Sequence, residues 1–476
     1  MRVHPRRVEK VLAFALLAAA LFGQRRIGAQ STTTPGAPIS AAYQRLAAAL
    51  DSIARAAVAK GPIPGMSIAV VKGNTPLLMK GYGYADLEND VPATVETVYR
   101  IGSITKQFTA AAIMRLVEQQ KLSLEDPLTK FFPDYPVRGN AVTVHQLLNH
   151  TSGIHSYTSM GPRWQRRMRD DMEPDSMIAF FRDEPFDFAP GTQWRYDNSG
   201  YFLLGRIIEK ISGRTYAEYV RDELFHPLGL TGTYYCDLSP IIKRRAQGYG
   251  RVKDVWTNAA PLSMTQPYAA GSLCSTVADL VTWTRALHSG RVVNAASLRR
   301  MTTPDKLVDG KPLDYGFGLL TGSLNEHRLI GHGGGINGFA TYLGYYPQDT
   351  LTVVVLTNTE SGNPDAVARS LSRRTLGIPE PRPKDLALSA EELIRYAGTY
   401  SVPGGPTFRI VEEHGSLTLE LPGESPDRLL YQGKGEFLSS IAADFGLAFE
   451  PIPGAHAQRV KVMDAGHVIF EAERKQ

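Results

Sequence analysis

Hydrophobic positions in this chain change period several times. Leu46, Leu50 and Ile53 recur at helical spacing and predict a helix running to Lys60. Two apolar runs follow, Met66–Val71 and Pro76–Tyr82, and the Gly73-Asn74 pair between them predicts a β-hairpin. From about residue 103 to 290 the pattern is mostly helical. Within that stretch Thr215-x-x-Glu218 has the form of a capping box, and Gly213 marks the stop of the preceding helix. A second hairpin is predicted from Phe339–Tyr346 and Leu351–Thr357, turning at Pro347-Gln-Asp349. Strands at both ends with helices between them predict an α+β fold whose terminal strands share one antiparallel sheet.

Pro379-Glu-Pro-Arg-Pro383 breaks this pattern. Beyond it, Ile394–Tyr400, Phe408–Val411, Ser416–Leu421, Arg428–Tyr431, Leu447–Phe449, Arg459–Met463 and His467–Phe470 read as short, evenly spaced strands. Seven or eight such strands predict a small up-and-down β-barrel. The expected organisation is a main domain over 41–376, a linker over 377–388 and a barrel domain over 389–476. Ahead of these, residues 1–29 have a basic start, the apolar Val11–Gly23 and small residues at Gly28-Ala29, the form of a secretory signal. A polar linker over 30–40 follows it. Thirteen apolar residues are fewer than the roughly 20 a spanning helix needs, so no transmembrane helix is expected in the mature chain. Arg6-Arg7 leaves both twin-arginine and general secretory export open.

Charge changes the picture only once. The formal net charge is +5, and the leader supplies all of it: Arg2, Arg6, Arg7, Lys10, Arg25 and Arg26 stand against Glu9. The remainder is balanced, so nothing points to nucleic acid or an anionic lipid surface. Cys236 and Cys274 are the only thiols, and the sequence leaves their pairing open. His145, His150 and His155 recur at five-residue spacing, on no common helix face, and read as hydrogen-bonded structural histidines. Neither a metal nor a cofactor is expected.

Candidate chemistry begins at Ser103-Ile-Thr-Lys106, the only Ser-x-x-Lys in the chain. On a helix, residues three apart share a face, so the Lys106 amine can reach the Ser103 hydroxyl at the head of what the pattern reads as an amphipathic helix. A serine needs a base to become a nucleophile. A lysine serves only where its surroundings lower its pKa. Further on stand Tyr196-Asp-Asn198, before an apolar helical run, and His332-Gly-Gly334-Gly335, leading into a strand.

These three motifs, separated by 93 and 136 residues, resemble the serine β-lactamase and penicillin-binding protein family. More specifically, they resemble its class C, peptidase S12 branch of D-alanyl-D-alanine carboxypeptidases, D-aminopeptidases and esterases. Thr143-Val-His-Gln-Leu-Leu-Asn-His150-Thr-Ser-Gly-Ile154 and Ala270-Gly-Ser-Leu-Cys-Ser-Thr276 resemble it too. The resemblance covers roughly residues 41 to 375. It implies a sheet packed on helices beside an all-helical half, with a lipocalin-like barrel behind. It implies a serine hydrolase, and the leader over 1–29 adds the expectation that it is exported to the periplasm or medium of a bacterium. Its substrate would be a small molecule or peptide: a cell-wall peptide, an ester or a β-lactam.

The resemblance also distributes roles. Ser103 is the nucleophile, and Lys106 and Tyr196 share the proton transfers, without the sequence saying which is base at which step. Asn198, His332, Gly334 and Gly335 bind substrate, with the Ser103 and Gly335 N–H groups as the oxyanion site. His332 departs from the lysine of typical β-lactamases. A histidine of ordinary pKa would lose charge near pH ~6.5, weakening its hold on a carboxylate as pH rises. Slow β-lactam turnover is therefore expected, and small esters or D-residue peptides are favoured. Two readings stay open beside this one: a class C-type β-lactamase with true turnover, and a non-catalytic penicillin-binding sensor or assembly module. An α/β-hydrolase is excluded because the chain has no Gly-x-Ser-x-Gly. Oligomeric state is not legible.

Overall fold

The computed structural model describes residues 41–476 apart from 254, 382, 403–406, 422–425, 441–444, 451–454, 465–466 and 476. The expected leader over 1–29 and linker over 30–40 lie outside the described residues. The chain opens with helix α1 (Ala41–Lys60), then strands β1 (Gly65–Lys72), β2 (Thr75–Asp86) and the short β3 (Val91–Pro92). Helix α2 (Thr105–Glu118) and helix α3 (Asn198–Ser212) belong to the helical middle. The second strand group is β4 (Leu320–Leu324), β5 (His327–Ile336), β6 (Phe339–Tyr346) and β7 (Leu351–Thr357), and helix α4 (Pro364–Leu376) follows.

These strands form one seven-stranded sheet in the order β3-β2-β1-β7-β6-β5-β4. β1 and β7 lie antiparallel at its centre, with Met66 opposite Thr357 and Lys72 opposite Leu351. Both strands are near-continuous apolar runs because both faces of the sheet are covered. Ala69, Val71, Val354 and Leu356 face the helical half. Ile68, Val70, Val353 and Val355 face the opposite core, which takes in Leu50 and Ala54 of α1 and Leu371 of α4. Alternate residues of a strand point to opposite faces, so each run serves two cores at once.

The helical middle holds to its sequence signals. Gly213 ends α3 in the left-handed conformation at φ 70°, and the Thr215/Glu218 capping box is formed in both directions. Helix α2 departs from the amphipathic expectation. Thr105, Lys106, Gln107 and Thr109 are buried along with its apolar residues, since the helix runs through the interior of the helical half, enclosed by other helices. Phe108 stacks on Trp283 there at 3.9 Å between ring centroids.

The C-terminal strands close into an eight-stranded barrel running from Gly398–Ser401 to His467–Arg474. Two sequence expectations are corrected. Residues 390–396 form a helix rather than the start of the first strand, because Ser389 and Glu392 build a capping box that starts it. Glu436–Ser439 is a strand that the pattern did not reveal; it is only four residues long and follows a register irregularity between Tyr431 and Gly433. Tyr400, Phe408, Ile410, Leu419, Phe437, Phe449 and Val460 are among the side chains that fill the interior.

Candidate active site

Ser103 sits in a 3₁₀ turn, Gly102–Ile104, immediately before α2. The turn lies against β5. Gly102 has φ 50°, and a Cβ there would stand 3.0 Å from the Gly335 nitrogen. A Cβ on Gly334 would fall 2.0 Å from the Ile101 carbonyl oxygen, so this backbone-to-backbone approach admits only glycine. β4 pairs with β5 only as far as Gly331. Residues 333–335 therefore turn one edge of β5 toward the serine, unpaired by β4.

Lys106 is fully buried, and its amine has three partners: Ser103 Oγ at 3.1 Å, Asn198 Oδ1 at 2.8 Å and the Ala270 carbonyl oxygen at 2.9 Å. An amide oxygen and a carbonyl oxygen can only accept. A neutral amine donates its two protons to them, and its lone pair is left facing the one partner able to donate, the Ser103 hydroxyl. Burial pushes the Lys106 pKa well below the usual lysine range, with nearby Asp197 drawing it partly back. The geometry and the electrostatics agree on an amine able to accept a proton.

Asn198 is held at both ends, its Nδ2 donating to Thr158 Oγ1 at 3.1 Å. The residue capping α3 is its neighbour Asp197, whose Oδ2 accepts from the Gly200 N–H at 3.0 Å. That leaves the Asn198 side chain free to reach Lys106. Tyr196 precedes the cap. Its ring lies 4.6 Å from the Lys106 nitrogen, and its buried hydroxyl lies beside the Ser103 hydroxyl, outside ideal hydrogen-bond geometry. Burial pushes its phenol pKa up, the Ser103 hydroxyl drawing it partly back. The two groups flanking Ser103 are thus driven apart, one toward a neutral base and one toward a neutral acid.

His332 is buried at 4% exposure, and both its nitrogens are engaged. Nδ1 donates to the Gly333 carbonyl at 2.5 Å, and Nε2 accepts from the Tyr315 hydroxyl at 3.0 Å. Burial first, and Lys106 second, push its pKa down to about 3. The expected loss of charge near pH ~6.5 is therefore corrected: the ring is neutral throughout the neutral range, chiefly because burial disfavours its cation, with any charge on Lys106 adding to that.

The sequence reading brought Ser103, Lys106, Tyr196, Asn198, His332, Gly334 and Gly335 to one place. It missed Tyr315, the Ala270 carbonyl and Asp197, a buried carboxyl whose pKa burial raises to about 7. Asp197 carried a signal, since Asp ahead of an apolar helical run is a cap. A backbone carbonyl carries none. Tyr157, nearby in the helical half, is a core residue whose hydroxyl donates to the Gln266 carbonyl at 2.9 Å. Cys236 and Cys274 are both buried free thiols.

A sheet backed by helices, with a buried lysine facing a serine at the head of a buried helix, is the arrangement of the β-lactamase and transpeptidase-like fold. The Beta-lactamase family model matches residues 50–377, and the chain belongs to that family. It is 30% identical to Penicillin-binding protein 4* of Bacillus subtilis (strain 168), over 75% of this chain and 84% of that one. Among solved structures it is similar to the octameric penicillin-binding protein homologue from Pyrococcus abyssi, with 29% identity, TM-score 0.63, and coverage of 89% and 99%. The D-amino acid amidase from Ochrobactrum anthropi SV3 matches with 28% identity, TM-score 0.62, and coverage of 70% and 98%. Among the described residues no helix is long and apolar enough to cross a membrane.

Proposed function

We propose that this chain is an exported serine hydrolase that cleaves amide or ester bonds through an acyl-enzyme on Ser103. The hydrogen-bond set of Lys106 carries the reading, because it leaves the amine lone pair directed at the serine. The Ser103 proton passes to Lys106 as Oγ bonds to the substrate carbonyl carbon. The carbonyl oxygen takes the negative charge beside the Ser103 and Gly335 N–H groups, where fixed donors stabilise it. As the bond to the leaving group breaks, the Tyr196 phenol gives that group a proton and is reprotonated from the Lys106 ammonium. Water then attacks the ester, its proton returning through the same groups, and Ser103 is restored. The signal-like residues 1–29 support delivery of the enzyme to the periplasm or medium of a bacterium.

His332 narrows the substrate. A neutral ring with both nitrogens engaged within the protein offers a carboxylate neither charge nor a free donor. The favoured substrates are therefore small esters and D-residue amides without a carboxylate beside the scissile bond, and β-lactams acylate without fast turnover. The similarity to a D-amino acid amidase supports this choice. The test is intact mass and turnover with a penicillin, an activated ester, a D-amino acid amide and a D-alanyl-D-alanine peptide, with Ser103→Ala as control. Serine-dependent turnover of the ester and the amide is expected. β-Lactam turnover at the rate of a dedicated β-lactamase would overturn the substrate assignment. Absence of any serine-dependent adduct would overturn the mechanism.

A further inference from the structure

Residues 150–158 run beside the segment that carries Tyr196 and Asn198 and hold it at several points. Ser152 Oγ donates to Asp197 Oδ2 at 3.3 Å, Asn198 N–H donates to Ser156 Oγ at 3.1 Å, and Ser199 Oγ donates to the His155 carbonyl at 2.8 Å. His150 is the member that brackets Tyr196. Its carbonyl accepts the Arg195 N–H at 3.1 Å, and its Nδ1 accepts the Asp197 N–H at 3.1 Å. Its ring packs on the Tyr196 ring at 4.5 Å between centroids, and on Tyr315 at 4.7 Å on another side.

Three features separate this from ordinary core packing. His150 is 1% exposed and sits at φ 62° just past the helix Val144–Leu148 and its cap Asn149, an uncommon left-handed conformation for a residue with a side chain. Because Nδ1 accepts, the proton of the neutral ring is on Nε2, and that nitrogen is buried without a hydrogen-bond partner. A phenylalanine would pack on Tyr196 without that unpaired donor. What an imidazole adds at this position is the Nδ1 acceptor. Burial first, then Lys106 and His332, push its pKa well below the usual histidine range, so the acceptor stays unprotonated.

We propose that His150 is a positioning residue that holds the Tyr196 phenol beside Ser103, accepting the N–H groups of its neighbours Arg195 and Asp197 through its carbonyl and its Nδ1. The inference rests on the reading that Tyr196 protonates the leaving group. That role predicts a selective defect. A p-nitrophenolate leaves without a proton, whereas an amine must be protonated to leave.

The test uses the full chain with His150→Phe and His150→Asn, assayed on p-nitrophenyl acetate and on D-phenylalanine amide. His150→Phe is expected to lower kcat on the amide about 100-fold, the low end of what a positioned acid contributes, and on the ester less than about 5-fold. KM should move less than about 3-fold on either. His150→Asn keeps an oxygen acceptor and tolerates positive φ, and should return the amide rate to within about 10-fold of the parent. Amide hydrogen exchange over residues 195–199 should quicken in His150→Phe and not in His150→Asn. Equal losses on ester and amide, or none in a folded His150→Phe, would overturn the proposal. If His150→Phe does not fold, His150→Asn decides, since any residual defect must then fall on the amide alone. If the parent shows no Ser103-dependent chemistry, the functional reading fails by itself, and hydrogen exchange still decides whether His150 holds this segment.

Discussion

The C-terminal barrel and the Ser103 site both have packed interiors, the first formed by strands and the second by helix ends against one strand, yet they bury opposite kinds of group. Inside the barrel the buried side chains are apolar, and among the described residues there Ser439 is the only buried polar one. Around Ser103 the protein buries Lys106, His150, Asp197 and His332 within one core. Each of those groups loses hydration on folding, and two of them, His150 at Nε2 and Asp197 at Oδ1, keep an unpaired atom. A buried polar atom without a partner costs about 1–3 kcal/mol, and stability alone offers no reason to accept that cost. The described interior of the barrel is what the packing of apolar side chains alone would produce. The core around Ser103 holds the groups that the proposed proton transfers need.

The largest test of this contrast is Ser103→Ala. Turnover should fall at least about 10⁴-fold, with the covalent adduct gone, while the melting temperature stays close to that of the parent. A variant that retains a hundredth of the activity would place the chemistry elsewhere. Phe437→Ala tests the other region. It removes a 2%-exposed ring packed on Tyr396, Tyr431 and Phe449, and should cost about 3–5 kcal/mol. In chemical denaturation that loss should appear while kcat/KM of the folded protein stays within about 2-fold. A parallel fall in activity would mean that the two regions do not separate energetically.

Acid should find the difference next. His288 and His332 have pKa values pushed down to about 4 and about 3. Between the unfolded value of ~6.5 and those values the unfolded chain takes up protons that the folded one refuses. Stability therefore falls as pH drops through this window, by about 1.4 kcal/mol per unit for each such histidine, and flattens below the folded values. Asp197, raised to about 7, works in the opposite sense: its contribution is present at low pH and lost as pH rises toward 7. Asp51 and Asp305, lowered to about 2, side with the histidines below pH ~4. Denaturation midpoints measured from pH 7 to 3 should show the net acid loss, and a flat profile would contradict neutral burial of the histidines. Activity should track Lys106 instead, with the rising limb of kcat/KM lying well below the ordinary lysine pKa of ~10.4. The smallest effect tests neither region: Thr215→Ala, at a surface capping box, should cost about 1 kcal/mol and leave turnover unchanged.

How much of this was legible beforehand follows from what each feature depends on. Ser103-x-x-Lys106 could be read because a helical turn sets the spacing between a nucleophile and its base. β1 and β7 could be read as strands, and the barrel as a run of strands, because alternation and turn residues are local. The helix at 390–396 hid inside a strand-like segment, and Glu436–Ser439 was too short to show a period.

The sequence by itself determined the element order, the α+β architecture with its trailing barrel, and which side chains could carry acyl transfer. Only the tertiary structure decided their protonation. It buried α2 on nearly all sides, which pushes the Lys106 amine down. It also brought the Ala270 carbonyl, 164 residues away, to the amine, and closed both nitrogens of His332 against Gly333 and Tyr315. A residue's type sets its ordinary pKa. Water exclusion and partners distant in sequence set the shift from it, and both exist only once the chain has folded.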